Sequence, residues 1–194
     1  MDGQNKVWTI IMKRGGGKTP FVIGGDWERG VAKMWLEKGM STLIIDTFPH
    51  PKYAHVPILH PDHYGKLSSH PNIYRTICSI KNMKKLFKQL KNVYNTLIVF
   101  EDCNKYIDNF FTEDQIELIG DTKQKNVDLM FMHWCWGWAS TDLLRFTNYF
   151  VVGDTPDSPE VREIYIKGCY ENLMEAHRKV KAGEEPYLIV DSGI

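Results

Sequence analysis

The sequence predicts an α/β fold, with a mainly parallel sheet flanked by helices on both faces. Three observations predict it. Short apolar runs recur at Val7–Met12, Leu43–Ile45, Leu97–Phe100, Val127–His133, Tyr149–Val152 and Tyr187–Val190. Helical patterns or long crossovers separate these runs, and their near-continuous apolarity suits strands covered on both faces. The chain has 194 residues, 43% hydrophobic and 25% charged, enough for one domain over residues 1–194 with a sizeable core.

The elements follow in order. Val7–Met12 is a buried strand that empties into a glycine-rich turn. A helix begins at Thr19, where Pro20 suits the first turn because its missing N–H costs little there. Gly24 and Gly25 interrupt it. Asp26 is the expected N-cap of a helix to about Glu37, ended by Gly39. Ser41–Asp46 is a strand with an acid at its carboxyl end. Residues 47–75 read as loop, with five prolines and five histidines. The spacing of those histidines argues against a metal site. Met83, Leu86, Phe87, Leu90 and Val93 recur at helical spacing within 81–94, with lysines on the other faces. Those lysines form either a solvated face or a phosphate-contacting one. Leu97–Phe100 is a strand, and 112–120 a helix opened by a Thr112/Gln115 capping box. Val127–His133 is a further strand, 142–146 a helical turn and Tyr149–Val152 a strand. A long helix is expected over 159–182, then a last strand at Tyr187–Val190.

The most informative stretch is Lys13-Arg14-Gly15-Gly16-Gly17-Lys18-Thr19-Pro20, directly after the first strand. A strand that runs into a glycine-rich turn closed by Lys-Thr reads as a phosphate-binding loop, the alternative being a glycine-rich surface turn with a chance Lys-Thr. The glycines let backbone N–H groups curl around phosphate oxygens, the lysine neutralises them, and the threonine hydroxyl ligates Mg²⁺. The full pattern has a glycine five residues before Gly17, where this chain has Met12, so the first turn of the loop is altered. The expected ligands are ATP and Mg²⁺.

The second informative feature is Glu101-Asp102 after the strand Leu97–Phe100. A strand-terminal acid pair can hold the metal and orient an attacking water. The expected assignment is Glu101 to Mg²⁺ and Asp102 to water, although the roles can be exchanged, and Asp102 with Thr19 completes the candidate metal set. Ligands of open α/β sheets bind at the carboxyl ends of strands. Lys18, Thr19, Asp46, Glu101, Asp102 and His133 are all expected there. His133 is placed to sense a γ-phosphate or else is a core histidine. Charge neutralisation during hydrolysis calls for a further cation, often from a neighbouring subunit; Lys123, Lys125, Arg145 and Arg162 are the candidates. Trp134, Trp136 and Trp138 either stack on bases, fill an interface or pack internally.

Net charge is zero, from 24 basic and 24 acidic residues, so no overall field draws the protein to polyanions. Cys78, Cys103, Cys135 and Cys169 show no Cys-x-x-Cys pair and read as free thiols of a reducing compartment. The polar amino terminus is unlike a signal peptide, and the apolar stretch 129–139 is too short to span a bilayer. The expectation is a cytoplasmic protein with no membrane anchor of its own.

These residues resemble the FtsK-HerA superfamily of P-loop ATPases, especially the compact genome-packaging ATPases of viruses, over nearly the whole chain. Val7–Thr19 is similar to the first strand and phosphate loop, Leu43–Asp46 to the second strand, and Leu97–Asp102 to the metal-binding strand. Asn126–His133 resembles the strand that usually ends in a sensor glutamine, and Lys123 stands where a basic residue, usually Arg, precedes it. Residues 143–152 resemble the stretch into the last main strand. Met12, the Glu-Asp order and His133 depart from that pattern. The resemblance implies a three-layer sandwich of the RecA-like (ASCE) P-loop type. It also implies a homo-oligomeric ring, pentamer or hexamer, that hydrolyses ATP at subunit borders and moves double-stranded DNA, with a capsid vertex as a further partner. In a virus the location would be the host cytoplasm. The alternatives are a filamentous-phage assembly or secretion ATPase, a small-molecule kinase with the same loop, or a nucleotide-gated binding module. The first usually carries a transmembrane segment and the second an arginine-rich lid, whereas residues 47–75 hold only Arg75.

Overall fold

The computed structural model describes residues 5–24 and 30–194, so the expected Asp26 cap lies outside the described residues. Seven strands form one sheet: β1 (Val7–Ile11), β2 (Ser41–Asp46), β3 (Ile73–Ile77), β4 (Thr96–Phe100), β5 (Val127–His133), β6 (Tyr149–Gly153) and β7 (Tyr187–Asp191). Their hydrogen-bonded order is β3-β2-β4-β5-β1-β6-β7. β2 pairs in parallel with β3 and β4, and β1 with β6, whereas β7 runs antiparallel to β6. Non-consecutive neighbours require crossovers, and these supply the helices that cover the sheet. Every residue of β1, β2, β4 and β5 is buried, as the apolar runs predict.

Contacts divide the chain into two compact units. The first takes in Thr19–Glu101 and Thr112–Met130. It holds α1 (Lys18–Ile23) from Thr19 onward, α2 (Val31–Glu37), α3 (Lys66–Ser69), α4 (Met83–Leu90), α5 (Glu113–Gly120) and α6 (Thr122–Lys125). α4 buries Met83, Leu86, Phe87 and Leu90, the stripe that its spacing predicts, and Phe87 stacks on Phe100 of β4. The capping box of α5 is formed: Gln115 accepts from the Thr112 backbone N–H. Such a cap is worth about 1 kcal/mol.

The second unit comprises Val7–Lys18, Asp102–Phe111 and Phe131–Ile194. Its helices are α7 (Thr141–Phe146) and α8 (Tyr170–Lys181). Ile11, Trp136, Leu144, Phe150, Val152, Ile166 and Leu173 form its core.

Two expectations are corrected. Residues 47–75 are not all loop, because Ile73–Ile77 pairs with β2 as an edge strand. Within the same stretch, His50 and His60 each accept a backbone N–H at the start of a 3-10 turn. The long helix over 159–182 is broken: 3-10 turns at Pro159–Tyr165 and Lys167–Cys169 precede α8. There Arg162 donates to the carbonyls of Trp136 and Gly137, which ties the segment down before it can continue as a helix. The strand expected at Leu97–Phe100 does end at Phe100, and Asp102 beyond it adopts left-handed backbone angles, φ 48° and ψ 47°.

Met12, the departure from the loop pattern, is fully buried against Gly153. A Cβ on Gly153 would collide with Met12 Cγ and Sδ. The missing side chain at the end of β6 therefore makes room for the methionine at the end of β1. Gly153→Ala is expected to cost about 1–3 kcal/mol through overpacking. Denaturant melts should show the double variant with Met12→Ala losing less than the sum of the two single losses, because the residues touch.

Candidate functional site

Two groups of candidate side chains form, one in each unit. In the second unit, β1 delivers the loop 12–18. Met12 N–H donates to the His133 carbonyl at 3.1 Å and Lys13 N–H to the Asp154 carbonyl at 2.6 Å, which fixes the mouth of the loop. Gly16 N–H turns back onto the Lys13 carbonyl at 2.9 Å. Gly15 and Gly17 take φ of 79° and 99°, a region costly for any residue with a Cβ. The loop thus needs these two glycines for its curl.

Lys18 is buried, and its ammonium donates to the carbonyls of Met12 at 2.8 Å and Lys13 at 3.2 Å. A buried ammonium is costly unless hydrogen-bonded, and the loop's own carbonyls supply those bonds. Lys13 forms an ion pair with Asp154, which also binds Lys181 at 2.8 Å. Those two hydrogen bonds pull the Asp154 carboxyl down to about 2. Arg14 is exposed, with its guanidinium 5.8 Å from the Trp134 ring centre.

Asp102 belongs to this unit. Its Oδ1 accepts from Trp134 Nε1 at 2.7 Å and its Oδ2 from Lys105 Nζ at 2.7 Å. Burial opposes its ionisation, but the hydrogen bonds from Lys105 and Trp134 and the charges of Lys105 and Lys18 hold the carboxyl below the ordinary range. His133 is completely buried, and its ring has no side-chain hydrogen-bond partner among the described residues, with only the Trp138 backbone acting on it as a weak one. Burial drives its pKa down to about 3, aided by the charges of Lys18 and Arg162, so the ring is neutral near pH 7. A neutral imidazole carries one donor and one acceptor.

In the first unit, Glu101 is buried at the end of β4 and its N–H donates to the Ile45 carbonyl of β2 at 3.0 Å. The Tyr53 hydroxyl donates to Glu101 Oε1 and is also hydrogen-bonded to the Thr19 hydroxyl. Tyr53 is fully buried, and burial, then the Glu101 charge, raises its pKa well above the usual phenol range. One phenol therefore gathers Thr19 and Glu101, two of the residues expected to hold a metal. Their hydroxyl and carboxylate oxygens are the hard donors that suit Mg²⁺. Asp46, at the end of β2, is spent on the backbone N–H groups of Phe48 and His50.

The remaining sequence candidates lie elsewhere. Lys123 is exposed on α6, which precedes the amino end of β5, opposite the end that carries His133. Lys125 pairs with Asp121 at 2.6 Å. Arg145 is exposed, 3.6 Å from Asp142 and over the Tyr165 ring at 5.3 Å. Of the tryptophans, Trp136 is core against Phe150, whereas Trp138 is 55% exposed and tilted against Trp134 with ring centres 5.6 Å apart. Tyr53 and Lys105 are not among the residues the sequence marks for the site, and Trp134 enters there only as one of three clustered tryptophans. Tyr53 carries no motif of its own. The signal for Trp134 was its place directly after His133.

No protein-family model and no curated protein sequence matches the chain. Solved structures do. The genome-packaging NTPase B204 of Sulfolobus turreted icosahedral virus 2, in complex with ATP-gammaS, matches with TM-score 0.72 at 14% identity, over 97% of this chain and 92% of that one. The DNA-packaging ATPase B204 of Sulfolobus turreted icosahedral virus matches with TM-score 0.71 at 13% identity, over 97% and 93%. The complex of B204 with AMPPCP gives TM-score 0.73 at 13% identity. With the glycine loop at the end of β1, the fold is that of an α/β P-loop NTPase.

Proposed function

We propose that this chain is a Mg²⁺-dependent ATPase that moves double-stranded DNA, a genome-packaging motor of the FtsK-HerA kind working as a homo-oligomeric ring. The observation that carries the ATPase reading is Lys18, a buried ammonium closing a glycine-rich loop on the loop's own carbonyls. The likeness in fold to a packaging NTPase over almost the full length of both chains supports the motor reading. Among the described residues no helix is long and apolar enough to cross a membrane.

In this mechanism the phosphates displace the Met12 and Lys13 carbonyls from Lys18, whose charge then neutralises the outer oxygens. Backbone N–H groups over Gly15–Lys18 cradle the phosphates, between Lys13 and Arg14 on one side and Pro20 on the other. Thr19 and Glu101 would hold Mg²⁺, with Tyr53 keeping the two side chains in place. Bound there, Mg²⁺ supplies charge neutralisation at the phosphates. Asp102 orients the attacking water and accepts its proton. His133, neutral and beside Lys18, offers an N–H to the γ-phosphate. Lys123 or Arg145 of a neighbouring subunit supplies the outer cation.

ATP turnover measured with and without duplex DNA tests this reading. A motor is stimulated by DNA. Turnover that ignores DNA but requires a small phosphate acceptor would replace the motor by a kinase.

A further inference from the structure

We propose that Trp134 and Lys105 are positioning residues for hydrolysis, and that together they aim the Asp102 carboxylate at the attacking water. The inference rests on the reading of Asp102 as the acid that handles that water. Three observations carry it. The two residues hold one oxygen each, Trp134 Nε1 on Oδ1 and Lys105 Nζ on Oδ2, both at 2.7 Å. A carboxylate oxygen has two lone pairs, so each keeps one free for water while the group as a whole is fixed. Asp102 itself sits in left-handed backbone, φ 48°, which takes it out of β4 into this grip. Non-glycine residues in that region cost roughly 1–2 kcal/mol and persist where surrounding contacts over-determine them.

Trp134 is itself held. Its ring carries the Arg14 guanidinium and the Lys105 ammonium, each 5.8 Å from the ring centre, and Trp138 at 5.6 Å. Arg14 belongs to the phosphate loop, so one indole connects that loop, the end of β5 and the acid after β4. A carboxylate with two rotatable bonds loses its aim when either donor goes. Misplacement of a catalytic group by about 1 Å costs up to roughly a hundredfold.

The test is kinetic. Trp134→Phe keeps the ring and removes the N–H; Lys105→Met keeps the stem and removes the charge; Lys105→Arg restores a charged donor. Trp134→Phe and Lys105→Met are each expected to lower kcat roughly ten- to a hundredfold with KM for ATP unchanged, and Lys105→Arg to recover most of the loss. In single turnover on an Asp102→Asn background, Trp134→Phe should have no further effect, because its route runs through that carboxylate. Wild-type kcat in both Trp134→Phe and Lys105→Met, with Asp102→Asn inactive, overturns the positioning role and leaves the ATPase reading standing. The same fractional loss with or without the Asp102 carboxylate also overturns it, in favour of a structural role. Full activity of Asp102→Asn removes instead the assignment on which the inference rests. Should Trp134→Phe fail to fold, the Lys105 pair decides alone.

Discussion

Lys18→Ala is expected to bring ATP turnover down to background, a loss on the order of a thousandfold or more, judged by what removal of one preorganised charge-stabilising donor costs. Triphosphate binding should weaken along with it. The folded chain should survive. The substitution removes a buried charge, and what it leaves behind is two loop carbonyls, Met12 and Lys13, that lose their donor. Unsatisfied buried acceptors cost about 1–3 kcal/mol each, and of the two only the Lys13 carbonyl belongs to an exposed residue. A thermal midpoint within several degrees of wild type, together with absent turnover, separates loss of chemistry from loss of fold. Unchanged turnover in Lys18→Ala removes the phosphate-loop assignment.

Asp102→Asn is expected to bind ATP as wild type does while hydrolysis falls by roughly 10²–10⁴, the usual contribution of a positioned acid or base. The amide still offers an acceptor oxygen to Trp134 but presents an NH₂ group to Lys105, a donor facing a donor. The local cost is small because Lys105 is part-exposed and can turn to solvent. Binding measured with a slowly hydrolysed analogue, set beside single-turnover rates, separates the two effects. Wild-type hydrolysis in this variant would move the water-handling role to Glu101. Glu101 has a different neighbourhood: Tyr53 and, through it, Thr19. That setting suits a metal-holding acid and is the physical reason for giving the two adjacent carboxylates different work.

Much of the fold is legible in the residue pattern. Ser41–Asp46 and Val127–His133 are strands with the expected bounds because each is an apolar run flanked by turn residues. The Thr112/Gln115 box announces α5 because its two hydrogen bonds are local. β3 escapes notice because it is a half-exposed edge strand following a proline- and histidine-rich stretch, and its pairing partner β2 lies about thirty residues earlier. The break in 159–182 depends on Arg162 reaching the carbonyls of Trp136 and Gly137, a contact that helical spacing does not encode. The orientation of β7 likewise rests on its pairing with β6.

At the site, Lys18, Thr19, Glu101 and Asp102 are legible because loop and acid pair are each contiguous in sequence. Their supports are not. Tyr53 stands 48 residues from Glu101, and Trp134 stands 32 from Asp102. Met12 and Gly153 compensate one another across a far wider gap in sequence: the bare Cα of Gly153 leaves the space that the methionine fills. The neutrality of His133 is also set by tertiary burial, which the sequence leaves open.

The central claim is that residues 12–19 and the acid pair serve one magnesium-bound nucleotide. A crystal structure with Mg²⁺ and a non-hydrolysable ATP analogue tests it most directly. The account predicts phosphate oxygens against the backbone N–H groups of Gly15–Lys18, Lys18 drawn off its own carbonyls, and the metal held by Thr19 and Glu101. A nucleotide bound elsewhere, with Lys18 still on Met12 and Lys13, would contradict it.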